Sequence, residues 1–524
     1  MSKRRIIQFF KADSESFRLA IIGFSCLLLF APFYFFFLGF IVFPYFAYSL
    51  YKAKTFEESF KRSFYFLFGF FLGNFYWISF SFLVNKNFIL LFPFVFLLIP
   101  AAMAFFSALF LASSFFIKQK YKLSLLEYYF IFALILFLHE FLRGHFIPMV
   151  DFKGLPWVLL GYSFFASDNL VQFASVVGVY GLTFIVIYLY LSPIFFYEKK
   201  YKDLGVKLSL LFLLSLVFLH SYGVHKKKSF DLVDISDVTL ALVHTNTARH
   251  HAQTEEGIIA NVNKAVDLIK DSENSDIYII PEGAVSIVSN NNYNQAFEYI
   301  IEEIAEKDFD RIIVGSPRAG LKDGRYYFYN SIFNLDNNHN FLGYYDKTNL
   351  VPFGEYNPYT ASFPSVAASK NFSKGDRENT ILKLQENLWA VPLICYDGIF
   401  PGKFSQDGDF LLNITNDIWF TRKLFGRNIS VGPWQHFDLI RMRSIEEGKP
   451  LIRVANYGVT AVVDSFGEVK DVVDFNDSEQ VLKVQLPAKL AEPTIYNQYR
   501  DLIVYLVVIL NLLAVFNYFL LRKN

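Results

Sequence analysis

The feature that most constrains this chain is a series of long apolar segments in its first 223 residues. A segment of about 20 apolar residues is long enough to cross the hydrocarbon core of a bilayer as a helix. One more such segment stands near the end of the chain. We therefore predict eight membrane-spanning helices, at about Phe17–Pro32, Phe33–Leu50, Phe64–Val84, Phe88–Ile117, Ser124–Leu142, Leu170–Phe196, Lys207–Gly223 and Leu502–Leu521.

Composition and charge favour lipid over nucleic acid or an acidic protein as the partner. Hydrophobic residues make up 54% of the 524 positions, 64 residues are Phe, and the formal net charge is only +1. Proteins that bind nucleic acid through charge carry a strong basic excess, which this chain lacks. We therefore expect the lipid bilayer to be a partner and no nucleic acid to bind.

Basic residues predict which side of the membrane each part of the chain occupies. They cluster beside the predicted spans, at positions 3–11, 52–62, 118–122, 199–202 and 522–523. With eight spans, all these clusters fall on one side, which the positive-inside rule identifies as cytoplasmic. Both termini are then cytoplasmic, and the long segment between the seventh and eighth spans is external.

That long segment has the pattern of an α/β domain, because apolar runs of strand length alternate with amphipathic stretches of helix length. We predict strands at Val238–Val243, Asp276–Ile280, Arg311–Val314, Tyr327–Phe333, Trp389–Ile394, Phe410–Ile414, Leu451–Ala455 and Thr460–Val463, and helices at Glu255–Lys270, Tyr293–Glu306 and Trp434–Glu447. The predicted fold is a multi-pass α-helical membrane domain over 1–223, an external α/β domain over 224–499, and a last helix with its tail over 500–524.

Three apolar runs of this domain each end near a residue that can carry chemistry: Glu282, Lys347 and Cys395. Open α/β sheets gather their reactive groups at the carboxyl ends of strands. A cysteine nucleophile needs a base, and its tetrahedral adduct needs a cation or N–H donors for the oxyanion. We predict Cys395 as nucleophile, Glu282 as general base and Lys347 as the oxyanion-stabilising cation. Judged on its own run alone, Cys395 also fits a small buried hydrophobe.

The contexts of these three residues resemble a known family. Glu282 lies in Pro-Glu, Lys347 begins Lys-Thr-Asn-Leu-Val-Pro-Phe-Gly-Glu, and Cys395 lies in Ile-Cys-Tyr-Asp. This order resembles the nitrilase, or carbon-nitrogen hydrolase, superfamily, and within it the bacterial apolipoprotein N-acyltransferases. Further stretches that agree with the same family are Phe141–Gly144, Gly154–Trp157, Gly161–Ser163, Asn416–Phe420, Gly432–Phe437, Arg441–Arg443 and Asn456–Thr460.

The resemblance implies a fold and an activity. It implies a nitrilase-like αββα sandwich for the external domain and a Glu-Lys-Cys triad that works through a ping-pong thioester mechanism. It also implies that a fatty acyl chain passes from a phospholipid to the α-amino group of the N-terminal diacylglyceryl-cysteine of lipoproteins, the last step of their maturation. We accordingly expect a monomeric enzyme of the bacterial inner membrane, with a periplasmic catalytic domain and no cofactor.

Five further residues of the external domain are expected to support the site. The resemblance carries Glu355, Tyr396 and Asp397 into the active site, although a carboxylate that caps a turn is the structural alternative for Glu355. Asn416 and Trp419 are expected to shape the substrate pocket, although an aromatic side chain there also suits a core.

A polar cluster lies at the predicted outer end of the fifth span, formed by His139, Glu140, Arg143 and His145. Charged residues within membrane segments are functional candidates. The spacing does not match the His-Glu-x-x-His zinc pattern, and no metal site is predicted. We expect Arg143 to anchor the Gly154–Trp157 stretch or to contact a lipid headgroup.

The chain departs from the family pattern at three places. Asp397 stands where the acyltransferases usually have Glu. His244–Asn246 stands in place of Gln-Gly-Asn, and no Trp follows in 247–253, so substrate gating is expected to differ. The link over 421–431 is longer than usual, and its apolar residues among basic ones suit a lid at the membrane interface, or equally a solvated basic loop.

Two other functions fit parts of this pattern. The same triad would serve a membrane-tethered amidase that uses water as the acceptor. An idle scaffold or lipid-binding protein is the alternative outside the enzymes, and the joint presence of Glu282, Lys347 and Cys395 argues against it. Cys26 lies within the first span and is expected to pack there, without a disulfide to Cys395.

Overall fold

The structure is a computed structural model that describes residues 13–83, 86–146, 154–247, 255–285, 289–290, 295–358, 371–376, 380–402, 404, 406–424 and 427–523. The chain divides into two compact units. The helical unit comprises Met1–Ser79, Leu90–Ser229 and Gln498–Asn524, and the α/β unit comprises Phe80–Ile89 and Phe230–Asn497. The basic cluster at 3–11 and the stretch 248–253 lie outside the described residues.

The helical unit consists of apolar α-helices joined by turns and 3₁₀-helices. Its described α-helices are α1 (Ser14–Ser25), α2 (Gly39–Lys52), α3 (Phe56–Phe75), α4 (Phe92–Ala112), α5 (Ser114–Tyr121), α6 (Leu125–His145), α7 (Ala174–Leu191) and α8 (Lys202–Ser229), with a last helix at Leu502–Lys523. Within the described residues, five stretches are long and apolar enough to cross a membrane: Phe56–Leu83, Ile89–Tyr121, Leu125–His145, Leu170–Tyr197 and Lys199–Ser229. They overlap the third to seventh predicted spans, whereas Phe36–Lys52 and Leu502–Leu513 are shorter apolar helices.

Some helices extend beyond the apolar pattern because a polar residue caps them. α3 begins at Phe56, where the Thr55 hydroxyl accepts a hydrogen bond of 3.1 Å from the backbone N–H of Glu58. The apolar pattern predicts this span only from about Phe64. The charged first turns of α3 therefore belong to the helix, but sequence hydropathy does not detect them.

Two main β-sheets form the α/β unit. Its strands are β1 (Leu232–Val233), β2 (Thr239–His244), β3 (Ile277–Ile280), β4 (Ser289–Asn290), β5 (Arg311–Lys322), β6 (Arg325–Asp336), β7 (Phe341–Asp346), β8 (Leu382–Gln385), β9 (Leu388–Ile394), β10 (Phe410–Thr415), β11 (Lys423–Leu424), β12 (Arg427–Asn428), β13 (Leu451–Ala455), β14 (Thr460–Val463), β15 (Val469–Val473), β16 (Gln480–Gln485) and β17 (Lys489–Leu490). The first sheet has the order β16-β2-β3-β5-β6-β7 with β4 beside β5, and the second has the order β15-β14-β13-β10-β9-β8. The central neighbours β2, β3 and β5, and likewise β9, β10 and β13, run parallel.

The two sheets face each other across a central core, and helices cover their outer faces. Leu242 of β2 and Leu412 of β10 belong to the core between the sheets, whereas Val243 belongs to a core on the other face of the first sheet. The described α-helices of this unit are α9 (Glu255–Asp271) and α10 (Gln295–Glu303) on the first sheet and α11 (Gly432–Glu447) on the second, while the short helix Ile495–Tyr499 spans the boundary at Asn497. The layers therefore run helix, sheet, sheet, helix, which is the expected αββα sandwich.

The sequence pattern detects the buried strands and misses the edge strands. β8, β15 and β16 lie at sheet edges, and many of their side chains are exposed or half-buried, so their sequences lack a continuous apolar run. β5 and β6 are also longer than predicted, since both continue into a polar hairpin. The predicted loop 421–431 contains the short hairpin of β11 and β12, and its residues 425 and 426 lie outside the described part.

Candidate active site

Cys395 lies in a strained turn directly after strand β9. It is the first residue of the 3₁₀-helix Cys395–Ile399, it is buried, and its φ is 48°. A side chain with a Cβ rarely adopts this left-handed conformation, so surrounding contacts must hold it there. The turn fixes the direction of the thiol, which also packs in the core between the two sheets.

The buried side chain of Asp397 stabilises this turn through hydrogen bonds. Its carboxylate accepts hydrogen bonds from the backbone N–H of Ile394 at 3.3 Å, the Tyr345 hydroxyl at 2.9 Å and the backbone N–H of Asn349 at 2.7 Å. Tyr345 and Asn349 flank Lys347 in the sequence. Asp397 therefore ties the turn that carries Cys395 to the segment that carries Lys347.

Glu282 follows strand β3, and its hydrogen bond comes from β6, which lies two places away in the same sheet. The Asn330 side-chain amide donates to Glu282 Oε1 at 2.7 Å. Glu282 Oε2 is buried and has no hydrogen-bond partner among the described residues. Burial raises the pKa of Glu282 to about 7, with Lys347 opposing the shift and Glu355 adding to it. A carboxyl group with a pKa near neutrality can both accept and return a proton.

Lys347 is a buried cation held by Glu355. Lys347 Nζ lies 2.9 Å from the Glu355 carboxylate, which also accepts hydrogen bonds from Asn330 at 2.9 Å and from the Val351 backbone N–H at 2.8 Å. Burial disfavours the charged amine, but the negative charge of Glu355, with smaller effects of Cys395 and Glu282, keeps the pKa of Lys347 raised. Glu355 thus caps a turn, and its carboxylate also contacts Lys347, the residue predicted to stabilise the oxyanion.

The electrostatic surroundings keep the Cys395 thiol protonated at rest. Burial raises the pKa of Cys395, and the charge of Glu282 raises it further, whereas Lys347 opposes the shift. A protonated thiol is a weak nucleophile and needs a base when it attacks. Cys395, Glu282 and Lys347 are close enough to influence one another electrostatically, as a base, cation and nucleophile must be.

The remaining predicted residues occupy different positions. Tyr396 is buried with its ring edge-on to Phe400 at 5.1 Å, and Trp419 is half-buried in the 3₁₀-helix Ile418–Phe420. Asn416 packs against the turn that carries Glu282. Its side-chain amide lies so close to Gly283 that a Cβ added to this glycine would be only 2.6 Å from Asn416 Nδ2. Gly283 has a φ of 78°, so glycine suits this turn for both its conformation and its size.

Arg143 lies in the helical unit, whereas the residues above lie in the α/β unit. Its guanidinium donates hydrogen bonds to the backbone carbonyls of Leu155 at 2.8 Å and Trp157 at 2.7 Å, and to the Glu140 carboxylate at 2.8 Å. Arg143 and Glu140 are both buried. These contacts anchor the 154–157 stretch to the end of α6.

The sequence assigned no role to a second polar group beside Cys395. Cys395, Asp417 and His436 each offer a sulfur, oxygen or nitrogen atom, and these atoms lie within 4.8 Å of one another. Arg453 Nη2 donates to Asp417 Oδ2 at 2.7 Å. Asn330 was also missed, although a polar residue within a predicted strand is a usable signal. His436 and Asp417 stood in motifs already noted, but only the folded chain brings them to Cys395.

Comparison with known proteins adds independent information. Residues 239–496 match the family model of carbon-nitrogen hydrolases, and residues 22–191 match that of the apolipoprotein N-acyltransferase N-terminal domain. The apolipoprotein N-acyltransferase of Rickettsia prowazekii is 32% identical over 490 residues, which cover 91% of this chain and 93% of that protein. That of Rhodopseudomonas palustris is 30% identical over 500 residues, covering 90% and 88%. Among solved structures, an amidase from Nesterenkonia sp. is 16% identical, covers 52% of this chain and 97% of its own, and gives a TM-score of 0.36.

The α/β unit, with its αββα layers and its match over residues 239–496, is a carbon-nitrogen hydrolase domain. The apolar N-terminal part matches a second family model, and the Rickettsia prowazekii relative aligns with nine tenths of the chain. The chain therefore belongs to the apolipoprotein N-acyltransferase family, which confirms the resemblance drawn from its motifs.

Proposed function

We propose that this protein transfers a fatty acyl chain from a phospholipid to the α-amino group of a diacylglyceryl-cysteine at the N-terminus of a lipoprotein, through a thioester on Cys395. The observation that carries the proposal is the buried Cys395 in its strained turn, beside a charged Lys347 and a Glu282 whose pKa is about 7. The names of its relatives supply the substrate class.

In the first half-reaction the sulfur of Cys395 attacks the carbonyl carbon of a phospholipid ester. Glu282 accepts the thiol proton as the S–C bond forms, and it returns a proton to the ester oxygen as the C–O bond breaks. Lys347 stabilises the oxyanion of the tetrahedral intermediate, because its charge is fixed in a site shielded from water. The products are a lysophospholipid and an acyl group held as a thioester.

In the second half-reaction the free α-amino group of the acceptor attacks the thioester. Glu282 accepts a proton from the nitrogen as the N–C bond forms, and the sulfur recovers a proton as the C–S bond breaks. Lys347 again stabilises the oxyanion. The same three side chains thus complete a ping-pong cycle, and no cofactor takes part in it.

We further propose that the protein resides in the bacterial inner membrane as a monomer, with the α/β unit periplasmic and both termini cytoplasmic. The five long apolar helices support residence in a membrane. The positions of the basic residues beside the predicted spans support the orientation.

The test is an N-acylation assay with the full-length protein in vesicles that contain phosphatidylethanolamine and a synthetic diacylglyceryl lipopeptide. The expected result is a mass increase of one acyl chain on the peptide, and none on a peptide whose α-amine is acetylated. Cys395→Ser and Lys347→Met are expected to abolish the transfer. The control Cys26→Ser changes the other cysteine, which lies in the helical unit, and is expected to retain activity. Release of free fatty acid without peptide acylation would instead indicate a hydrolase.

A further inference from the structure

A nearly buried ion pair lies directly before Lys347 in the first sheet. Arg318 of β5 donates hydrogen bonds from Nε to Asp346 Oδ1 at 3.1 Å and from Nη2 to Asp346 Oδ2 at 2.5 Å. The side chains of Arg318 and Asp346 are only 12% and 8% exposed. A two-point pair of this kind fixes both the distance and the angle between its partners. Asp346 is the last residue of β7, so the pair restrains the backbone that leads into Lys347.

Two tyrosine rings and a serine hydroxyl complete a cluster around this pair. The guanidinium carbon of Arg318 lies 4.4 Å from the ring centre of Tyr329 on β6 and 4.3 Å from that of Tyr344 on β7. Ser331 Oγ donates to Asp346 Oδ1 at 2.5 Å. Aromatic stacking together with a planar fork of donors is a combination that lysine cannot reproduce. We refer to these five side chains as the outer-face cluster.

The end of β7 places the outer-face cluster and Lys347 on opposite faces of the sheet. Tyr344 packs against the core on the outer face, whereas Tyr345 belongs to the core between the sheets. Because side chains alternate along a strand, Asp346 shares the outer face with Tyr344. Lys347 follows on the inner side, where Glu355 lies 2.9 Å from its amine. A movement of Asp346 is therefore passed to Lys347 through a single peptide unit.

Strand β6 shows the same alternation. Tyr329 and Ser331 belong to the outer-face cluster, whereas Asn330 between them donates to Glu282 at 2.7 Å and to Glu355 at 2.9 Å. The Asn330 carbonyl also accepts a hydrogen bond of 2.8 Å from the backbone N–H of the residue after β7. β5, β6 and β7 are antiparallel neighbours here, so the outer-face cluster joins three strands behind the candidate site.

We propose that Arg318 is a positioning residue for the acyl transfer, which acts through Asp346 to hold the Lys347 amine at the oxyanion. This inference rests on the proposed function, in which Lys347 stabilises that oxyanion. A hydrogen bond weakens steeply as its angle departs from linear, so a small rotation of Lys347 removes much of the stabilisation. The attraction between the Lys347 charge and the sulfur of Cys395 changes little over the same movement, because it varies only with the inverse of the distance.

This difference separates two reactions of the same thiol. In acylation the sulfur attacks a carbonyl carbon, and an oxyanion forms that Lys347 must stabilise. In alkylation by iodoacetamide the S–C bond forms at a saturated carbon as the C–I bond breaks, iodide leaves, and no oxyanion arises. Glu282 accepts the thiol proton in both reactions. Loss of Arg318 should therefore slow acylation and leave alkylation unchanged.

The experiment uses the full-length protein with Cys26→Ser, so that Cys395 is the only thiol. Thioester formation is followed in phosphatidylethanolamine vesicles and alkylation in detergent without phospholipid, both by rapid quench and intact-protein mass. Arg318→Met is expected to lower the acylation rate about tenfold or more, with the alkylation rate within about twofold of the native value. Asp346→Asn weakens the pair from its other side. It is expected to show the same selective loss and serves if Arg318→Met does not fold.

The matched control is Arg311→Met on the same strand. The Arg311 guanidinium also donates two hydrogen bonds, to the carbonyls of Leu384 at 3.0 Å and Asp310 at 2.8 Å. Arg311 is the first residue of β5, at the amino end of the strand, whereas the candidate site lies at the carboxyl ends of the parallel strands. Its replacement should therefore leave both rates close to the native values.

Two outcomes would overturn the inference. One is a native rate of acylation in both Arg318→Met and Asp346→Asn. The other is an equal fall of acylation and alkylation, which would leave Arg318 a general structural role. Failure of the proposed function looks different, because the native protein would then form no thioester, or Lys347→Met would acylate at the native rate.

Discussion

The side-chain amide of Asn330 donates a hydrogen bond of 2.7 Å to the carboxylate of Glu282. Asn330 lies on strand β6 and Glu282 follows strand β3, so the architecture of the first sheet fixes this contact. The hydrogen bond stabilises the ionised carboxylate and lowers the pKa of Glu282, against the larger opposing effect of burial. The balance of the two effects determines how much of Glu282 is ionised at neutral pH.

Replacing Asn330 by Leu should therefore raise the pKa of Glu282 above about 7. Discharge of the acyl-enzyme onto the amine needs ionised Glu282, so the acid side of its pH profile should move to higher pH. A shift of one unit lowers the rate below the pKa about tenfold. The measurement is the discharge rate of preformed acyl-enzyme onto a lipopeptide at several pH values.

The control for this change is Asn334→Leu on the same strand. Asn334 is also buried and donates to the Lys383 carbonyl at 2.8 Å. Asn334→Leu should lower the free energy of unfolding by a comparable amount, about 1–3 kcal/mol, without moving the pH profile of discharge. Equal profiles for the Asn330→Leu and native proteins would refute the assigned role.

Replacing Glu355 by Gln should move the same profile in the opposite direction. The negative charge of Glu355 raises the pKa of Glu282, so its removal lowers that pKa and extends discharge to lower pH. The change also removes the partner 2.9 Å from buried Lys347 and should cost about 3–5 kcal/mol, seen as a lower melting temperature. The control is Glu479→Gln, which removes a partly exposed ion pair with Lys264. It should change neither the pH profile of discharge nor the melting temperature appreciably. A shift to higher pH would contradict this account.

Replacing Asp397 by Asn should loosen the turn that carries Cys395. The carboxylate accepts five hydrogen bonds, and whichever oxygen is replaced, at least one backbone N–H would face an amide nitrogen that cannot accept, which costs about 1–3 kcal/mol. Acyl-enzyme formation should slow roughly tenfold, equivalent to about 1.4 kcal/mol in the barrier. Thermal unfolding and the rate of adduct formation check both effects. Asp336→Asn, in an exposed turn, should leave the rate of adduct formation unchanged.

Replacing Arg143 by Met should destabilise the helical unit, because buried Glu140 would lose the guanidinium that balances its charge and keep only its contact with His139 at 3.4 Å. The expected cost is about 3–5 kcal/mol, and the double variant with Glu140→Gln should recover part of it. Arg18→Met, at an exposed ion pair with Glu15, should alter the melting temperature little. The measurement is the melting temperature of each variant in detergent. If the losses of the two single variants simply add in the double variant, Arg143 and Glu140 do not interact as proposed.

The sequence predicted those parts of the site that depend on local pattern. Cys395, Glu282 and Lys347 follow apolar strands, so strand-length runs and residue chemistry were enough to predict that the three lie near one another; their catalytic roles stay a prediction. The family resemblance supplied the αββα layers, and the structure and the family model confirm them. Edge strands such as β16 were missed because half their residues face solvent and the apolar run is absent.

The polar partners of the site depend on tertiary structure and could not be predicted in the same way. Asp417 and His436 are separated by 19 positions, and a strand, a loop and a helix bring them to Cys395. Their spacing matches no local metal or catalytic pattern. Asn330 contacts both Glu282 and Glu355 only because β6 lies beside β5 and β7 in the first sheet.

The measurement that tests the central claim most directly is the intact mass of the native and Cys395→Ser proteins after incubation with phospholipid, followed by addition of a diacylglyceryl lipopeptide. The account predicts a hydroxylamine-labile acyl adduct on the native protein alone, and its loss in step with acylation of the peptide amine. No adduct with any phospholipid tested, or an adduct that persists in the Cys395→Ser variant, would contradict a thioester on Cys395.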